Sequence, residues 1–247
     1  MKDNFSKQSH LYAKFRPTYP KDLFDFLVSL TPAQTTAWDC GTGNGQVAVE
    51  LAAYFNDVFA TDISEQQLQN ATARDNIVYR IEAAEHSTFT DNMFDLITVA
   101  QAVHWFDFKK FYNEINRTLK PNGILAILGY PLPTIDGKID PILDHFYRNI
   151  LRSYWDDERK YIDERYLTIP FPFKEIKAPS FSTNYHWDFE HFIGFLNTWS
   201  AVQHYRERTN ENPIDKIIID LKKCWGNNLA KSITFSMLLR VGVKTGA

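Results

Sequence analysis

Hydrophobic positions along this chain change period several times, and each change marks a boundary. Within residues 20–30, Leu23, Phe26, Leu27 and Leu30 recur at three- and four-residue steps, with Pro20 suited to a first helical turn. Residues 36–40 form a short apolar run ending in glycines, which predicts a buried strand. Val47, Ala48, Leu51, Ala52 and Phe55 then return to the helical period. Strands are predicted at 58–61, 77–81 and 94–100, the last apolar throughout, as suits a strand covered on both faces. Ser64 is placed to cap a helix over 65–74. A helix over 108–119, a turn at Lys120-Pro121-Asn122-Gly123 and a fifth strand at 124–130 complete the first half.

Strand and helix thus alternate five times, which predicts a doubly wound, Rossmann-like parallel sheet with right-handed crossovers. Ligands bind such sheets beyond the carboxyl ends of the strands, where strand order reverses. After residue 130 the rhythm changes. Helices are predicted at 142–154, 189–203 and 214–225, and residues 155–160 read as a charged turn. Ile169-Pro170-Phe171-Pro172-Phe173 must be irregular or an edge, because proline cannot donate to a ladder. Strands at 181–187 and 233–243 bring the sheet to seven, with helical insertions before and between them. One domain spans 1–247: a ligand-binding core with an N-terminal arm over 1–130, cap insertions and a late strand over 131–232, and a final strand over 233–247.

The strand end at 36–40 carries the most specific signal. Gly41, Gly43 and Gly45 are spaced G-x-G-x-G, and Gln46 stands where the third glycine of a dinucleotide motif would be. Glycine permits positive φ and close approach of a ligand to the backbone. Asp39, just before the turn, is placed to bind an amino group directly or through water. Asp62 lies 17 residues beyond Gly45 at the end of the next strand, where a carboxylate can accept from both hydroxyls of a ribose. This spacing points to S-adenosylmethionine (SAM) and so to methyl transfer.

Composition narrows the setting. A chain of 247 residues suits one large α/β domain. Aromatics reach 15%, enough for either a bulky core or an aromatic-lined pocket. The net charge of −3, without a long run of like charges, argues against nucleic acid or an acidic membrane as partner. Two cysteines, Cys40 and Cys224, imply no disulfide framework. Residues 1–8 lack a signal-peptide core, and no run approaches the roughly 18 apolar residues of a span. A cytoplasmic protein is expected. His186, His191 and His204 match no zinc spacing, so no metal is predicted.

The chain resembles the class I SAM-dependent methyltransferases, within them the small-molecule branch that includes trans-aconitate methyltransferase. The residues carrying the likeness are Tyr12-Ala13-Lys14-Phe15-Arg16-Pro17-Thr18-Tyr19-Pro20, Trp38-Asp39-Cys40-Gly41-Thr42-Gly43-Asn44-Gly45 and Thr61-Asp62-Ile63-Ser64. It continues through Ala84-Glu85, Ala100-Gln101-Ala102-Val103-His104-Trp105-Phe106-Asp107 and Arg117-Thr118-Leu119-Lys120-Pro121-Asn122-Gly123, and returns faintly at residues 195–201. The resemblance implies that Asp39, Gly41, Thr42 and Gly43 hold the methionine part, Asp62 the ribose, and Ile63 the adenine face. Ala84 and Glu85 would flank the adenine edge, although Ala83 stands where many relatives place an aspartate. Gln101 and Ala102 would line the methionine portion through their backbone. The arm over 10–19 would fold across the cofactor, with Tyr12 and Arg16 reaching the SAM carboxylate or the substrate.

Past the fourth strand, His104 is a candidate general base, or else a structural histidine or a donor that orients the acceptor. Tyr19, Trp105, Tyr130 and Trp199 are candidate walls of the substrate pocket, while Trp187 and Phe195 fit core packing as well as substrate contact. Arg16, with Arg206 from the cap, could pair with a small carboxylic acid, which is already ionised and needs no base. The alternatives are an O- or N-methyltransferase of a larger natural product and a SAM-binding protein without turnover. A nicotinamide dehydrogenase is disfavoured by Gln46.

Overall fold

The computed structural model describes residues 14–227 and 229–245. Helix α1 (Lys21–Leu30) buries Leu23, Phe24, Leu27 and Val28 and leads into β1 (Thr36–Cys40). There follow α2 (Gln46–Leu51), β2 (Asp57–Asp62), α3 (Glu65–Gln69), β3 (Ile77–Ile81) and β4 (Phe94–Ala100). Next come α4 (Phe108–Thr118) and β5 (Leu119–Gly129). The first five strands pair in parallel, in the order β3-β2-β1-β4-β5. Order therefore reverses between β1 and β4, and the crevice above their carboxyl ends is the position a ligand takes in such sheets.

The C-terminal half adds α5 (Asp140–His145), extended by a π turn (Phe146–Ile150), then α6 (Lys160–Asp163) and β6 (Lys174–Glu175). It continues through β7 (Ser182–Trp187), α7 (Phe189–Asn197), α8 (Ser200–Thr209), α9 (Ile218–Trp225), β8 (Lys231–Ser236) and β9 (Leu238–Val243). Strand β9 runs antiparallel beside β5, and the two-residue β6 pairs antiparallel with β9, completing a seven-stranded sheet. Strands β7 and β8 form a separate antiparallel pair. Ile124, Ala126 and Leu128 of β5 face one core and Leu125 and Ile127 the other, the alternation that lets a strand bury both faces. No helix of the described residues is long and apolar enough to cross a membrane.

Several expected boundaries move. The helix over 65–74 stops at Gln69; its Ser64 cap is present, accepting from the Gln67 amide. The turn at 120–123 is a bulge inside β5, where pairing jumps from Phe94↔Leu119 to Leu96↔Ile124. The helix over 142–154 shortens to α5 and its π turn, and a 3-10 turn follows at Arg152–Tyr154. The helix over 189–203 divides at Thr198 and Trp199, and that over 214–225 begins as a 3-10 turn, Pro213–Lys216. The strand over 233–243 breaks at Met237 and belongs to two sheets. The sixth strand of the main sheet is β6, not 181–187.

Candidate functional site

The turn after β1 is shaped by its glycines. Gly41 has φ of +70°, and a Cβ there would lie 2.8 Å from that of Ala102, so the loop after β4 could not approach. Gly43 has φ of +56°, and a Cβ there would meet only the Gln67 side chain, at 3.9 Å, so the turn presents little bulk to the crevice. The amides of Gly41 and Thr42 both donate to the Thr61 carbonyl at 2.9 Å, which ties the turn to β2. Asp62 completes the link: one carboxylate oxygen accepts from the Gly43 amide at 2.8 Å, the other from the Ser64 amide at 2.9 Å.

These loops line a partly open cavity. Of the expected residues it is lined by Gly41, Thr42, Gly43, Asp62, Ile63, Gln101, Ala102, Tyr19, Trp105 and Tyr130. Gln67 and Asn44 also line it and were not expected. Gln67 sits on α3, and only the three-dimensional turn of that short helix aims it inward. Gln101 has φ of +54°, an unusual conformation for a residue with a side chain, and its Nε2 donates to the Tyr130 carbonyl at 3.1 Å.

Asp39 does not line this cavity. It is buried beneath the turn, where its carboxylate accepts from the hydroxyls of Thr42 and of Thr98, the latter at 2.9 Å. Burial pushes its pKa up to about 6, against the opposing effect of those hydrogen bonds. Its contact with the turn runs through Thr42. Ala84 and Glu85 are also elsewhere. Ala84 packs in the second core, and Glu85 accepts the Asp107 amide at 3.0 Å, steadying the start of α4. Tyr12 lies outside the described residues.

A second chamber adjoins the first and shares Gln101 and Trp105 with it. Arg16, His104 and Trp199 line it, joined by Trp155, Asp156, Arg159 and Ile162, which sequence reasoning left in a charged turn and its surroundings. Arg16 is braced by the Thr198 carbonyl at 3.0 Å and the Tyr130 hydroxyl at 3.4 Å. His104 is buried between the rings of Trp105 and Tyr166, its Nδ1 3.5 Å from the Tyr166 hydroxyl. Burial, with a smaller contribution from the charge of Arg159, pushes its pKa down to about 3. The imidazole is therefore neutral at physiological pH and a very weak proton acceptor.

Other candidates fall away from both cavities. Arg206 donates to Asn197 and Asn212 and faces a separate depression with Phe15 and Phe189. Trp187 and Phe195 pack against Phe235 in the core.

Comparison with known proteins identifies the family. Residues 38–127 match the family described as a methyltransferase domain. A protein of Dictyostelium discoideum named as a methyltransferase is 36% identical over 227 residues, spanning 90% of this chain and 86% of the relative. A solved structure from Anaeromyxobacter dehalogenans, described as a type II methyltransferase, superposes with a TM-score of 0.87 at 35% identity, covering 94% of this chain and 100% of the other. A phosphoethanolamine N-methyltransferase of Haemonchus contortus was solved with phosphomonomethylethanolamine and S-adenosylhomocysteine. It matches at a TM-score of 0.50 and 17% identity over 98% of this chain and 58% of the other, a likeness of fold alone.

Proposed function

The chain belongs to the class I SAM-dependent methyltransferases, with S-adenosylmethionine as its cofactor, and on that premise we propose that it methylates a small carboxylic acid. The first cavity suits the cofactor in its glycine turn and in the acid at the end of β2. Gly41, Thr42, Gly43 and the backbone of Gln101 and Ala102 hold the methionine part. Asp62 takes the ribose hydroxyls, with Ile63 and Gln67 on the adenine side. Asp39 acts through Thr42, holding the turn from below. When bound, SAM supplies an electrophilic methyl group on a positively charged sulfur.

The acceptor reading rests on one observation: the adjoining chamber carries two guanidinium groups, one carboxylate and a neutral, buried His104. Its lining is net positive, and an anion entering it loses water but gains opposite charge. A carboxylate is already a nucleophile at neutral pH and asks no proton transfer of the protein. A phenol would. Moving a proton from a group of ordinary pKa near 10 to an imidazole near 3 costs on the order of 10 kcal/mol, which disqualifies His104 as its base. The residues are left to orient the acceptor beside Gln101 and Trp105 and to exclude water.

A test is to incubate the protein with methyl-labelled SAM and a panel of small acids, phenols and amines. Methyl esters release labelled methanol in mild base, whereas ethers and N-methyl products keep the label. Base-labile product with acids alone is the expected outcome. Base-stable product would overturn the carboxylate reading.

A further inference from the structure

Arg159 is the guanidinium of the chamber that the protein holds without using up. Its Nε donates to the Tyr147 hydroxyl at 2.7 Å, and that hydroxyl donates in turn to Asp163 at 2.6 Å. The guanidinium carbon lies 4.8 Å from the centre of the Trp155 ring and 5.3 Å from that of Tyr147, so one hydrogen bond and two aromatic faces fix the group. Its two terminal nitrogens have no acceptor among the described residues. Arg16 and Arg117 differ. Both terminal nitrogens of Arg16 donate to the protein, and Arg117 is engaged through all three of its nitrogens. A guanidinium has five donors in a planar fork that matches the two oxygens of a carboxylate.

The position of this fork is as informative as its chemistry. Arg159, Trp155 and Asp156 line both the inner chamber and an outer depression of the cap, which Tyr147 also lines. A ligand reaching the inner chamber from that depression would pass these three shared residues, Arg159 among them. The inner chamber is also lined by Trp155, Trp199 and Trp105, three indole walls suited to a flat apolar body.

We infer that Arg159 is the specificity-determining residue of the acceptor site, binding the carboxylate of a planar acid through its terminal nitrogens while the tryptophans take the body. This deepens the carboxylic-acid reading above and rests on it for the link to turnover, but the binding step is measurable alone. The test uses benzoate and its uncharged isostere benzamide, titrated calorimetrically into the S-adenosylhomocysteine-loaded protein. Benzoate is expected to bind more tightly than benzamide. Arg159→Gln should weaken benzoate at least ten-fold, leave benzamide within two-fold, and leave SAM binding unchanged, since Arg159 is not in the cofactor cavity. Arg159→Lys keeps the charge but loses the fork and should recover part of the affinity. It also serves if the glutamine variant fails to fold, when at least a three-fold weakening of benzoate is expected. Arg206→Gln, on a separate depression, should change nothing.

The inference is overturned if benzoate binds no better than benzamide, or if both Arg159 variants bind it within two-fold of the parent. Loss of benzoate binding in Arg159→Gln, with no acid esterified by any form, would sustain the anchor and sink the function. Esterification with Arg159→Gln unaffected would do the reverse.

Discussion

Asp39 and Asp62 show how two acids near one turn come to hold different tasks. Asp62 meets two backbone amides and lines the cavity; Asp39 meets two threonine hydroxyls and is sealed from it. Sequence places both at strand ends but does not say which points inward, because the pleat and the turn decide that together. Burial leaves Asp39 with a folded pKa of about 6, raised above its ordinary value of 3.8. Between those two values the folded state binds more protons than the unfolded one, so this group makes stability fall as pH rises. The full effect is on the order of 3 kcal/mol above pH 6. Asp39→Asn removes the charge, so its melting temperature relative to the parent should rise between pH 4 and pH 7. A parallel pH dependence in the two proteins, measured by thermal denaturation, would show that Asp39 is not the group responsible.

Between elements, the link from β1 to β2 is the one that organises the cofactor cavity. Asp62 bridges the loop after β1 and the cap of α3, so its loss removes a brace and, on the ribose assignment proposed above, a ligand contact. Hydrogen bonds to a charged group contribute about 1.5–3 kcal/mol, so Asp62→Ala should weaken SAM at least ten-fold by titration. A change of less than three-fold would refute the ribose assignment. The first five strands, with this turn, were legible in the sequence because each is a compact apolar run with its own stop signal. The later elements were not, for identifiable reasons. The alternation over 233–243 continues through Met237, and a period of two does not record which strand it pairs with. The apolar stripe over 189–203 likewise runs through the break at Thr198, whose carbonyl is taken by Arg16 from 182 residues away. Arg159 was visible as a charge, but its place depends on the cap folding back over the sheet.

Across the whole molecule, cap and sheet share one hydrophobic core rather than meeting at a seam. A single cluster runs from Leu23 and Phe24 of α1, through Ala126 and Leu128 of β5, to Trp187, Phe195, Trp199 and Trp225 of the cap. Phe235 stands at its crossing, fully buried on β8, with ring centroids 5.4 Å from Tyr130, 5.5 Å from Trp187 and 5.4 Å from Phe195. Tyr130 is also a wall of the cofactor cavity, so packing in the cap bears on the shape of the site. A cap joined this way cannot melt without exposing core that the sheet also needs. Phe235→Ala deletes a ring from a site that four aromatics, Tyr130, Tyr185, Trp187 and Phe195, surround, a change that costs about 3–5 kcal/mol. For a chain of this size the melting temperature should then fall by roughly 10 °C. The cap tryptophans, followed by near-ultraviolet dichroism, and the helices and strands, followed in the far ultraviolet, should still unfold in one coincident transition. Were the tryptophan signal of the variant to melt well before the backbone signal, the cap would be a separable unit. The acceptor chamber would then be built on a part able to open independently of the sheet.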